Sequence, residues 1–112
     1  MASILGQIWR AIGLRLWNRG LLEYESMIAD CERAVDSVSE LLPPENADDV
    51  RSYFYAREAC LGVETLIAKL YDMDARLSSE QFKSLEIAAI AVGVGNDRMS
   101  SLRELAMKSE HW

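Results

Sequence analysis

The sequence predicts an all-α fold, an antiparallel bundle of four to five helices forming a single domain over residues 1–112. Three observations carry that prediction. One is a long apolar stripe at three- and four-residue spacing, the second a proline pair that ends it, and the third a capping box ahead of another apolar run. At 112 residues the chain can bury a core without disulfide or metal staples. Half of it is hydrophobic and 27% charged, a globular rather than a disordered balance.

The first long helix is read from Leu14, Trp17, Leu21, Tyr24, Ile28, Cys31, Val35, Val38 and Leu42, with Met27, Ala34 and Leu41 widening the stripe. Pro43-Pro44 stops it, because proline lacks an amide donor and disfavours helical geometry in the residue before it. A second helix follows, capped by Asn46 or Asp48, with Asp48 and Asp49 complementing its dipole. Its inward stripe is expected to run unbroken through Tyr53, Ala56, Cys60, Val63, Ile67 and Leu70. So short a link makes these two helices antiparallel. The hairpin brings Cys31 and Cys60 to about the same level, and the pair reads as two free, small apolar core residues. A third helix starts at the capping box Ser78-x-x-Gln81, and its apolar run "IAAIAVGV" predicts a central position, covered on several sides. Gly93 and Gly95 break it, and Asn96 or Asp97 caps a last helix carrying Met99, Leu102, Leu105 and Ala106. The end, "KSEHW", is expected to fray.

Ahead of all this lies a basic amphipathic segment, residues 1–20, expected to pack on the bundle. Ile4, Leu5, Ile8, Trp9 and Ile12 share one helical face, with Gln7 and Arg10 opposite. Arg10, Arg15 and Arg19 interrupt the apolar run, which argues against an export signal or a membrane span. With its two cysteines read as thiols, the chain is expected to be a bacterial cytoplasmic protein.

The net charge of −6 is unevenly spread: +3 over residues 1–20, −8 over 21–50, −1 over 51–75 and zero over 76–112. An acidic chain repels phosphate, so no direct nucleic-acid binding is expected. Catalysis finds little support. The one histidine is His111, the cysteines lack metal-site spacing, and no glycine-rich phosphate loop occurs. Serines have no interior base to activate them, and carboxylates in water make poor general acids. No cofactor and no metal are expected.

The candidate site is therefore a binding face. Glu25, Glu32, Asp36 and Glu40 lie away from the apolar stripe of the first long helix, and Asp48 and Asp49 extend the negative field around the hairpin tip. Acids four apart repel one another, and a helix built for solubility more often alternates its signs. Charge runs are usually solvated faces, and that bland reading stands at even weight beside a functional one. In the functional one, unneutralised carboxylates steer a basic protein partner, with Tyr55 as an aromatic anchor. The competing reading is a self-associating adaptor, a homodimer through Trp9 and Trp17 in residues 1–20. A peripheral membrane role is a third, disfavoured by the small number of arginines.

Pro44, Asp48-Asp49, Ser52, Ala56 and Ala59, followed by "LGVETLIAKL", resemble a segment of the YjaG-like bacterial helical proteins over residues 40–75. That resemblance implies a helical fold and no catalytic residues. In size and acidity the chain is also similar to the small immunity proteins that neutralise bacterial toxins, many of which meet basic nucleases. This second likeness implies a non-catalytic inhibitor of a basic toxin or nuclease domain, and carries over no site residue.

Overall fold

The computed structural model describes residues 22–110, and the segment 1–21 and residues 111–112 lie outside that description. The expectations for the basic N-terminal segment and for Trp9 and Trp17 fall there. Among the described residues the fold is an all-α bundle of five helices with no strand. Helix α1 covers 22–38 and tightens into a 3₁₀ turn at Ser39–Leu41; α2 is Pro44–Tyr55, α3 Ala59–Asp72, α4 Ser79–Val92 and α5 Asn96–Glu110. No described helix is long and apolar enough to cross a membrane.

From Met27 onward the stripe of α1 is as expected: Cys31, Ala34, Val35, Val38 and Leu42 are buried, with Met27, Ile28 and Leu41 packed against them, while Leu14, Trp17 and Leu21 lie outside the described residues. The prolines divide their work. Pro43 is extended and ends the first segment, whereas Pro44 occupies the first turn of α2, where a missing amide costs nothing. α2 thus begins ahead of Asn46 and Asp48, and no side chain caps it.

The expected second helix is in fact two. After Tyr55 the chain turns left-handed at Arg57 (φ 61°), with Arg57 N donating to Phe54 O and Glu58 N to Tyr53 O. This pair of bonds is a Schellman turn built without glycine. The break also resets the inward face. Ala47, Val50 and Phe54 are buried on α2, whereas Tyr53 is only half-buried and Ala56 is exposed. Asp74 (φ 48°) ends α3 by the same bonding, Asp74 N to Tyr71 O and Ala75 N to Leu70 O. Gly93 (φ 75°) ends α4 likewise, as its sequence position suggests.

The central helix is α3, not α4. Ala59, Gly62, Val63, Leu66, Ile67 and Leu70 are buried on it, and it packs against α2, α4 and α5. Small residues at 59 and 62 let neighbours approach closely; a methyl on Gly62 would lie 2.8 Å from the Phe54 ring. Leu66, Ile67 and Leu70 are fully enclosed, each contributing about 1.5–3 kcal/mol relative to exposure. α4 begins at the expected capping box: Gln81 N donates to Ser78 Oγ, and Ser78 N to Gln81 Oε1. Its apolar run covers only one side, through Leu85, Ala88 and Ala89, and leaves Ile87 and Ile90 exposed. α5 starts at Asn96, so neither Asn96 nor Asp97 is the residue ahead of it. It presents Leu102 and Leu105 to the core, and helix continues through Glu110 where fraying is expected.

Candidate functional site

α1 and α2 form the acidic side of the bundle, with Arg51 in the seam between them. From α2, Arg51 extends Nε to Glu32 Oε2 (3.2 Å) and Nη2 to Asp36 Oδ1 (2.6 Å), and its Nη1 lies 4.0 Å from Asp48 Oδ1. Burial opposes the charge on the guanidinium, but hydrogen bonds to Asp36 and Glu32 outweigh it and hold the group above its ordinary range.

This geometry corrects the expectation of an unneutralised stripe. Glu32 and Asp36 are engaged by the chain's own arginine, Asp30 pairs with Arg33, and Asp49 lies 3.7 Å from Lys69 Nζ. Glu40 accepts a longer contact from Gln81 Nε2 (3.4 Å). The face is nevertheless far from neutral. Arg33, Arg51 and Lys69 pair with five of the nine carboxylates between residues 22 and 50. Side chains of Asp36 and Asp48 remain 67% and 81% exposed, so solvent screens their pairs and limits what each contributes.

A second strip lies on the outside of α2. Glu45, Asp48, Asp49, Ser52 and Tyr55 recur at three- and four-residue spacing, and all five are exposed. Tyr55 is 80% exposed, the most open large hydrophobic side chain described. It stands at the α2–α3 turn, where Arg57 lies 6.0 Å above the Tyr24 ring of α1. The structure therefore brings Glu32, Asp36 and Asp48 together around Arg51 and aligns Asp48, Asp49 and Tyr55 along α2. Glu25 is exposed on α1 and Glu40 sits at its far end, on the 3₁₀ turn.

Elsewhere the chemistry is sparse. Among the described residues no polar or charged side chain is buried, and no cluster of three or more metal-ligating groups occurs. Burial pushes the Cys31 thiol up to about 11, helped by Asp30 and Glu32. Burial and Glu64 also raise Cys60, whose Sγ lies 3.6 Å from Glu64 Oε1; both cysteines are free. At the other end of the bundle, Tyr71 donates to Glu104 (2.8 Å) and Lys108 to Asp74 (2.9 Å). Two open depressions, of about 400 and 570 Å³, are lined by Asp74, Ala75, Arg76 and Lys108, and by Glu64 with residues 95–98. Charged residues make up most of both linings and both lie open to solvent, unlike the enclosed cleft of a small-molecule site.

These features define the class as an all-α bundle with one strongly acidic face. No protein-family model, curated protein or solved structure matches the chain.

Proposed function

We propose that this chain is a non-catalytic protein-binding module, an inhibitor of the immunity-protein kind that covers a basic toxin or nuclease domain in the bacterial cytoplasm. The observation that carries the reading is the outer strip of α2, where Glu45, Asp48 and Asp49 lead to the open ring of Tyr55. An exposed aromatic bordered by carboxylates is a suitable anchor for a lysine- or arginine-rich surface. Because Arg51 engages Glu32 and Asp36, the centre of the interface moves from α1 to α2, with Glu25 and Glu40 at its rim.

The test is titration calorimetry against a basic toxin or nuclease domain, sought first among the products of the neighbouring genes. Asp48→Lys with Asp49→Lys, and separately Tyr55→Ala, should each weaken the complex by about 10- to 100-fold, and affinity should fall steeply with salt. Asp36→Lys is a poorer probe, since it would set a lysine against Arg51. Affinity indifferent both to these substitutions and to salt would end the reading.

A further inference from the structure

We propose that the outer line of α3 seats a basic amphipathic helix of the partner. The inference rests on the basic partner argued above and gives that partner a shape. α3 is packed by α2, α4 and α5, so its outward side is one narrow line. Leu61, Thr65, Ala68 and Asp72 make that line at three- and four-residue spacing, opposite the buried Ala59, Val63, Ile67 and Leu70. Leu61 is 45% exposed although it stands on the central helix. Thr65 and Ala68 are half-buried, and Thr65 Oγ1 donates to Leu61 O (2.7 Å), so its proton is already used within the helix.

The two flanking helices supply the charge. On one side Lys69 Nζ reaches Asn46 Oδ1 (3.3 Å) and lies 3.7 Å from Asp49, which fixes α2 as that flank. On the other, Tyr71 donates to Glu104 and Gly95 N to Glu64 Oε1 (3.5 Å), which fixes α5. Asp97 shares with Glu64 the open depression at the start of α5. Asp49, Glu64, Asp72, Asp74, Asp97 and Glu104 thus border the line against Lys69, Arg98 and Lys108. Lys69 and Lys108 are already drawn to Asp49 and Asp74. Among the described residues no cation pairs with Asp72 or Asp97.

This arrangement selects the occupant. The line runs straight for about 16 Å from Leu61 to Asp72. Small side chains at 65 and 68 let another helix axis come close. An apolar centre between acidic flanks matches a helix whose apolar stripe lies between rows of lysine or arginine. The same acids repel a second copy, whose charge is also −6, and repel an anionic bilayer or nucleic acid.

The test is amide NMR of the isotope-labelled full chain, titrated with a designed lysine–leucine amphipathic helix of about 18 residues and with its glutamate counterpart. The lysine peptide should shift the amides of Leu61, Thr65 and Ala68 together with those of Asp97 and Glu104, and the glutamate peptide none. Leu61→Asn should weaken binding about tenfold with circular dichroism unchanged. Ala68→Arg sets a like charge on the line and should weaken it as much; it decides alone if Leu61→Asn disturbs the bundle. Shifts confined to α2 around Tyr55 would overturn this proposal and leave the basic partner standing. Equal affinities in all three proteins, or no shift at millimolar peptide, would overturn it as well. So would a wild-type dimer that Leu61→Asn dissociates, which would make a second copy the occupant.

Discussion

Arg51 Nη2 lies 2.6 Å from Asp36 Oδ1, joining α2 to α1 across the acidic seam. The guanidinium offsets repulsion that Glu32 and Asp36 would otherwise exert on each other, four residues apart on one helix. Arg51→Met keeps the aliphatic stem but removes the charge. We expect a loss of about 1 kcal/mol in urea unfolding at low salt, shrinking at high salt because the pairs are partly exposed. A loss that persists undiminished in concentrated salt would mean that packing, not charge, holds the seam.

The left-handed turn at Arg57 uses a residue that favours other geometry. Arg57→Gly should relieve that strain and raise stability by roughly 0.5–1 kcal/mol, after the greater freedom of glycine in the unfolded chain is counted. Thermal unfolding is sufficient to read it. A decrease would show that the contact between Arg57 and Tyr24 outweighs the backbone term.

Two glycines should respond to alanine for different reasons. At Gly62 the backbone is helical, so propensity favours alanine by about 1 kcal/mol. The new methyl, however, would lie 2.8 Å from Phe54 Cε1 and 3.0 Å from Tyr53 Cβ. Phe54 is 2% exposed and has nowhere to swing, so we expect a net loss of about 1–3 kcal/mol. At Gly93 the space is open but φ is 75°, and alanine should cost about 1–2 kcal/mol through the backbone alone. Chemical denaturation of the two variants, with crystallography to see whether Phe54 shifts, separates the mechanisms.

The Cys31 thiol should resist alkylation until the chain unfolds, while Cys60, half-buried, reacts first. The raised value at Cys31 also sets a direction for alkaline stability. Above the ordinary thiol range the unfolded chain releases its proton and the folded one keeps it, so unfolding gains favour as pH rises. The contribution is intact below about pH 9 and is lost progressively toward about pH 11, amounting to roughly 2–3 kcal/mol. Cys31→Ala should abolish that particular slope in denaturation curves taken from pH 8 to about 11.

The helices that sequence patterns describe well are those whose signals are local. The α1 stripe, the Ser78–Gln81 box and the glycine that ends α4 each depend on neighbours within a turn. The break at Arg57 escapes notice because left-handed helix ends are expected at glycine or asparagine, and "YAREA" contains neither. That break resets the inward face of α2, so Phe54 is buried where an unbroken stripe points to Tyr53 and Ala56. The outer place of α4 is hidden for another reason: hydrophobicity all round a helix is compatible with a face left open, and composition does not say how many neighbours arrive. Arg51 had a legible clue. Asp36 and Arg51 are equidistant from the Pro43-Pro44 turn, so an antiparallel hairpin sets them opposite one another. The outer position of Tyr55, by contrast, follows directly from its offset from the buried residues of α2.

The placement of α3 among α2, α4 and α5 has a consequence for how the molecule opens. The span from Val63 to Leu70 carries four of the residues most deeply enclosed in the core, Val63, Leu66, Ile67 and Leu70. Backbone amides in this span should exchange with deuterium last and together, at the rate set by global unfolding, whereas amides in the last turns of α5 exchange through local opening. A substitution that loosens this middle helix would thus be felt at once in every part of the bundle that leans on it.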